Sequence, residues 1–131
     1  MSVTIVDRRT DTLGKHPVWE VTLSQMTWAS DNQVAVTQAV NINGIIKQIV
    51  IIVGTATDGT LVCPVEVQDS SGNVIKTFAS LADATTHVKS STTDFGENEL
   101  AFDSSGFVIS ADPDKVPGAS GLTVDIVVRG I

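Results

Sequence analysis

The feature that most constrains the fold is the stretch NGIIKQIVIIVG, which spans residues 43–54. Residues 49–53 are all isoleucine or valine, and such β-branched residues favour strands. A strand with one solvent-exposed face should alternate apolar and polar side chains. This segment is apolar on both sides at its C-terminal end, so we expect a strand with both faces covered. Either another molecule covers the second face, or loops or the N-terminal segment of the same chain do so.

Strand patterns of period two recur along the rest of the chain. Eight or nine short strands are separated by Gly-, Pro-, Asp- and Ser-containing turns, and no segment has a convincing amphipathic helical pattern. The pattern predicts an all-β fold, an antiparallel β-sandwich that is jelly-roll-like. We expect residues 16–131 to form this single domain and residues 1–15, which are polar and weakly patterned, to form an extended N-terminal arm beyond it.

Four local patterns predict details of the strands. The dipeptide Asn43-Gly44 favours a tight hairpin turn, and a change of phase near Ser24–Gln25 indicates a bulge or bend. Pro64 within an apolar run predicts an edge strand or a bulge. Residues 79–98 carry the weakest pattern, which fits one helical turn capped by Ser80 and then a long loop or a poor edge strand.

Charge and composition exclude several classes of partner. The net charge is −7, and eleven of the fifteen acidic residues but only four of the eight basic ones follow residue 50. A nucleic-acid-binding protein needs a basic stripe instead, so we expect neither nucleic acid nor an anionic membrane to bind directly. No basic segment followed by an apolar one opens the chain, so we expect no secretory signal and synthesis in a cytoplasm.

Residues with catalytic chemistry are sparse. The single cysteine, Cys63, lies in an apolar strand pattern and is expected to be a buried hydrophobic residue, not a nucleophile. The two histidines, His16 and His87, are far apart and lack further ligands at metal-site spacing. Asp112 and Asp114 lack the spacing of a calcium-binding loop. We therefore predict that the protein is not an enzyme and needs no cofactor or metal.

The tryptophans and the N-terminal segment are the candidates for contacts with partners. Trp19 fits a core position on a sandwich strand. Trp28 follows the change of phase, so it faces either outward as an interface anchor or inward as a second core position. An ion-pairing patch on the arm is the other candidate. The predicted partner-binding residues are Asp7, Arg8, Arg9, Thr10 and Trp28.

Four segments give the chain a family resemblance. They are SVTIVDRRTDTLGKHPVWEVTLS at residues 2–24, NGIIKQIVIIVG at 43–54, VEVQDSSGNVI at 65–75 and GLTVDIVVRGI at 121–131. In this order they resemble small virion structural proteins of tailed bacteriophages. The resemblance implies a non-enzymatic β-sandwich or jelly roll, most simply a capsid decoration (cement) protein. Such a protein binds the outer surface of the major capsid protein lattice and stabilises the head, after assembly in the host cytoplasm.

The resemblance also bears on the second face of the strand at residues 45–53. An uncovered Ile/Val face is an aggregation hazard, so we expect a homo-oligomer or a capsid surface to cover it. A tail or head–tail component is an alternative position in the particle. A carbohydrate- or host-surface-binding module is another alternative, although 5% aromatic residues and no tyrosine serve it poorly. An enzymatic cupin-like jelly roll would need a histidine cluster.

Overall fold

The computed structural model describes residues 1–9, 18–90, 93–96 and 99–131. Within these residues the chain forms strands and connecting segments, and none of them is helical. No helix with the length and apolarity that crossing a bilayer requires is found in this part of the chain. The strands are β1 (Ser2–Asp7), β2 (Trp19–Trp28), β3 (Val36–Val40), β4 (Gly44–Val53), β5 (Val65–Asp69), β6 (Val74–Phe78), β7 (Thr85–Ser90), β8 (Leu100–Phe102), β9 (Phe107–Ala111) and β10 (Leu122–Gly130).

The strands form two antiparallel sheets that pack as a sandwich. Sheet A has the order β1-β2-β10-β4-β7, with β8 also paired to β4, and sheet B has the order β3-β9-β5-β6. The all-β sandwich predicted from the sequence is confirmed.

The strand pairing is that of a jelly roll. The chain reverses at the β5–β6 hairpin, and each earlier strand pairs with a later one: β5 with β6, β4 with β7, β3 with β9 and β2 with β10. Rolling up this double ribbon brings β10 beside β4 and β9 beside β5. Strands β1 and β8 are additions to sheet A.

The inner faces of the two sheets form one hydrophobic core. Strand β10 has the alternating burial that its sequence predicts, because every second residue from Leu122 to Val128 is at most 3% exposed. The indole of Trp19 packs against Phe107 across the sandwich, with ring centroids 6.2 Å apart. Burial of such side chains is the main favourable contribution to folding.

The predicted bulge in β2 is confirmed. Ser24 and Gln25 together oppose the single residue Asp125 of β10, and Gln25 has a φ of 59°. The Gln25 amide donates a hydrogen bond to Asp125 Oδ1 at 2.7 Å. The extra residue restores the inward phase of the strand, so Met26 and Trp28 return to the core.

The hairpin predicted at Asn43-Gly44 is not formed. Strand β3 lies in sheet B and β4 in sheet A, so the dipeptide connects the two sheets. The beginning of β4 pairs instead with the end of the chain, where Ile45 and Ile131 exchange two backbone hydrogen bonds of 3.0 Å. Gly44 has a φ of +133°, which few residues other than glycine adopt.

The predicted N-terminal arm is also corrected. Residues Ser2–Asp7 form strand β1, which pairs with β2 without a register shift and extends sheet A. Residues 10–15 of the predicted arm lie outside the described residues. The polar sequence after residue 7 gave the segment its arm-like pattern, whereas the strand itself is SVTIVD.

The weak segment at residues 79–98 contains an edge strand. Residues 85–90 form β7, so the edge-strand alternative is confirmed and the helical turn capped by Ser80 is wrong. Leu81 is buried and its carbonyl accepts a hydrogen bond from the Cys63 amide. Pro64 precedes β5, which is a central strand of sheet B, so the predicted edge strand is wrong. The register shift between β5 and β6 leaves Ile75 of β6 as the extra residue, away from Pro64.

Gly106, in the turn between β8 and β9, provides a test of how closely this turn packs against β3. It has a φ of 75°, and a Cβ atom there would clash with the backbone carbonyl of Val40. We expect Gly106→Ala to lower the free energy of unfolding by about 2 kcal/mol or more, because strain and overlap add. Gly59→Ala is the control, since a Cβ there meets nothing within 4 Å and its effect should stay within about 0.5 kcal/mol. Urea denaturation measures both, and equal losses would contradict the expectation.

Candidate interaction surface

The structure brings Asp7 and Arg9 together at the end of β1. The guanidinium of Arg9 donates to both carboxylate oxygens of Asp7, at 2.9 Å from Nε and 2.7 Å from Nη2. Its Nη1 donates to the backbone carbonyl of Asn43 at 2.7 Å. This bidentate pair ties the end of β1 to the connection between β3 and β4. Two of the predicted contact residues therefore bond each other, and Arg8 beside them is exposed.

This geometry sets the protonation of Asp7. The hydrogen bonds from the side chain and backbone of Arg9 lower the pKa of the Asp7 carboxyl from 3.8 to about 2. The Asp7 side chain is 40% exposed, so solvent screens the pair and its contribution to stability is small.

The remaining two predicted contact residues do not form part of this corner. Thr10 lies outside the described residues. Trp28 is 2% exposed, and its indole N–H donates to the carbonyl of Val34 at 2.7 Å. The interpretation of Trp28 as an outward interface anchor is wrong, and the core alternative is correct. The bulge in β2 is the physical reason, because it cancels the change of phase.

The outer face of sheet A presents an uncovered apolar surface that the predicted contact residues do not include. The register places Val88 of β7, Val50 of β4 and Val127 of β10 side by side, and Ile52 lies next to them on β4. Val88 is 54% exposed and Ile52 is 40% exposed, while the other two are half-buried. We call Val50, Ile52, Val88 and Val127 the aliphatic patch.

Polar side chains border the aliphatic patch on both sides. In the next row on the same face of the sheet, two residues after Val127, Arg129 donates to Glu20 Oε2 at 2.8 Å and to Gln48 Oε1 at 2.7 Å. On the other side, Asp125 and Thr86 flank Ile52 on the neighbouring strands. An apolar centre with a polar margin is the usual composition of a protein–protein interface.

The same register row continues without charge to the edge of sheet A. Val127 pairs with Thr22 of β2, which pairs with Thr4 of β1. The result is one row of five β-branched side chains, one on each of five strands: Val88, Val50, Val127, Thr22 and Thr4.

Among the residues that the structure describes, none covers the second face of β4. The N-terminal segment was one candidate cover, but its residues 2–7 are part of sheet A and lie edge to edge with β2. With Ile52 40% exposed, loops of sheet B do not bury this face either.

Three described side chains that were candidates for catalysis or metal binding are buried or make polar contacts with the backbone. Cys63 is fully buried, and burial raises the pKa of its thiol to about 12. Asp114 accepts a hydrogen bond from the Val62 amide, and a ring nitrogen of His87 lies 3.1 Å from the carbonyl of Ala82. Within residues 1–9, 18–90, 93–96 and 99–131, no three His, Cys, Asp or Glu side chains are placed to hold a metal ion. His16 lies outside those ranges.

Comparison with known proteins gives no family. No family model matches the chain, and no curated protein matches it. Among solved structures, it is similar to the C-terminal family 22 carbohydrate-binding module of Clostridium thermocellum Xyn10B, with a TM-score of 0.45, 9% identity and coverage of 98% of this chain and 82% of that one. It is also similar to the VP2 subviral particle of infectious bursal disease virus, with a TM-score of 0.36, 11% identity and coverage of 98% and 32%. At these values, neither likeness supports an inference about function.

The Asp7–Arg9 pair predicts a specific pH dependence. Since the folded pKa of Asp7 lies below the unfolded value, the stabilisation is present above about pH 4 and is lost as the pH falls through about 2. We expect carboxyl-carbon NMR to show a midpoint near 2 in the wild type and one closer to 3.8 in Arg9→Gln. Arg8→Gln is the control and should leave the midpoint unchanged. Identical midpoints for wild type and Arg9→Gln would contradict the assignment.

Proposed function

We propose that this protein is a non-enzymatic virion structural protein of the capsid decoration (cement) type. It would bind the outer surface of a shell of major capsid protein, at the virion surface, and act as a homo-oligomer. The sequence resemblance to small virion proteins of tailed bacteriophages suggests this role. The structural observation that carries it is the aliphatic patch, which no described part of the chain covers.

The size of the aliphatic patch determines how such binding could work. Full burial of an exposed aliphatic side chain contributes about 2 kcal/mol, and these side chains are about half exposed or less. Four of them therefore contribute about 4 kcal/mol, which corresponds to a dissociation constant of about 1 mM before the entropy of association is subtracted. One patch binds weakly, so retention on a shell requires the polar margin and several linked contacts.

The polar margin gives the contact its orientation. Arg129 is held by Glu20 and Gln48 on the two neighbouring strands, so its guanidinium has a fixed position beside the aliphatic patch. Polar groups placed in this way contribute more to specificity than to affinity. The net charge of −7 favours a basic receiving surface.

The carbohydrate-binding alternative finds no comparable support. Such a module stacks sugar rings on exposed aromatic side chains. Both tryptophans are at most 2% exposed, and Phe102 is the least buried of the four phenylalanines, at half-buried. All six residues belong to the described part of the chain, so the argument covers every aromatic ring of the protein.

Val88→Asp tests the role of the aliphatic patch. A carboxylate within the patch would be desolvated on contact, so we expect at least a tenfold loss of affinity for shells assembled from the major capsid protein encoded with this chain. Co-sedimentation measures binding, and the melting temperature of the shell measures its stabilisation.

Val74→Asp is the matched control for this experiment. Val74 is 51% exposed, close to the value for Val88, but it lies on β6 in sheet B. This variant should bind as the wild type does, and urea denaturation verifies that both variants fold. Failure of the wild type to bind shells, or equal binding by both variants, would overturn the proposal. A purified particle with only a handful of copies would favour the tail alternative.

A further inference from the structure

Strand β1 differs from the edge strands β3, β6 and β7. Natural edge strands are protected from pairing by inward lysines, prolines, bulges or blocked backbone groups. Lys89 on β7 and Lys76 on β6 both lie on the inner face, each with Nζ 5.9 Å from the ring centre of Phe78. On β3 the Gln38 side chain donates to the carbonyl of Ala39.

Strand β1 carries none of these protections between residues 2 and 7. Its centre is Val-Thr-Ile-Val, four consecutive β-branched residues with high strand propensity. Val3 and Ile5 lie on the inner-face register with Leu23 and Val21, yet they are 38% and 44% exposed. Among the described residues β1 pairs only with β2, and none of them forms a strand on its other side.

The hydrogen bonds of β1 show which backbone groups point to the open side. The Arg8 amide donates to the Val18 carbonyl at 2.9 Å, in line with the register of β1 and β2. Hydrogen-bonded and non-hydrogen-bonded pairs alternate along an antiparallel ladder. The even-numbered residues of β1 therefore bond to β2, and the N–H and C=O groups of Val3, Ile5 and Asp7 point away from it.

We propose that β1 pairs with β1 of a second copy, antiparallel, with Val3 opposite the partner's Ile5. The twofold axis is perpendicular to sheet A and passes between the two Thr4 residues. The inference rests on the proposed self-association and names its surface. The occupant is a second copy because the strand is self-complementary in this register.

The register follows from which residues would meet. With Val3 opposite the partner's Ile5, and Ile5 opposite the partner's Val3, the groups on the open side form four backbone hydrogen bonds. Apolar side chains then face apolar ones on the inner side, and the two Thr4 side chains meet on the outer side. Shifting the register by two residues would set Val3 against the partner's Asp7, whose carboxylate is bonded to Arg9.

Pairing in this way would join the two copies of sheet A into one continuous sheet. A perpendicular twofold axis keeps both outer faces on the same side, so both aliphatic patches face one surface. With strands about 4.8 Å apart, the patches lie roughly 30 Å from each other. The dimer would thus supply the linked contacts that a single weak patch requires.

Disulfide trapping tests the register. A Thr4→Cys pair on the axis would have Cα atoms about 5 Å apart, within the range that a disulfide spans. The matched control is Val3→Cys, whose two Cα atoms would be about 8 Å apart, beyond that range. Cys63 is 0% exposed and does not compete. We expect mild oxidation to produce a covalent dimer with Thr4→Cys and little with Val3→Cys, whereas equal yields would overturn the register.

Ile5→Lys tests the edge itself. It gives β1 the inward lysine that β6 and β7 carry, at a position that is already 44% exposed. Light scattering should give twice the 13.8 kDa chain mass for the wild type, and at least a tenfold weaker dimer for Ile5→Lys. Val34→Lys, at a site that is 71% exposed, should dimerise as the wild type does. A monomeric wild type, or a dimer unaffected by Ile5→Lys, would overturn the inference, and shell binding by a monomer would leave the proposed capsid-decoration role standing without the homo-oligomer.

Discussion

The structure depends on the insertion of the last strand, β10, between β2 and β4. Without it, sheet A would separate into two pieces, since β2 and β4 do not pair with each other. The inner residues Val124, Ile126 and Val128 are fully buried, so the same strand also supplies the middle of the core. This pairing closes loops of about 75 and 100 residues, and such non-local contacts make folding slow. The chain can complete its core only after its C-terminal residues have been synthesised.

The central positions of β4 and β10 in sheet A explain where an exposed apolar surface can lie without a free strand edge beside it. Strands β4 and β10 are central, so their backbone groups are hydrogen-bonded on both sides and their outer side chains are held on a rigid support. An aliphatic cluster there offers side chains to a partner without offering a free edge. At the margin of the sheet, β1 offers backbone groups instead. The two surfaces are different in chemistry, and they suit different partners.

The sequence predicts which face of each strand is buried better than it predicts which strands pair with each other. The alternation from Leu122 to Val128 predicts the inner face of β10, and the change of phase in β2 predicts its bulge. Period two does not say which sheet a strand joins, so the sequence predicts a hairpin at Asn43-Gly44 and an arm at residues 1–15, where the structure has a connection between sheets and strand β1. The sequence leaves the orientation of Trp28 open, because the change of phase near Gln25 fits either a bulge, which returns Trp28 to the core, or a bend, which turns it outward. The apolar second face of β4 is visible in the sequence, but its alignment with Val88 and Val127 follows only from the register.

The lysines at the opposite margin have a consequence for the size of any assembly. In a pair joined through β1, each outer margin of the joined sheet is formed by β7 and the three-residue strand β8, with Lys89 of β7 and the neighbouring Lys76 of β6 directed at Phe78. The inward lysine of β7 and the shortness of β8 both disfavour pairing with a third molecule, so such a pair would not be expected to extend into a ribbon. A pair of this kind would combine an adhesive margin with a non-adhesive one, which separates a closed complex from an open-ended fibril.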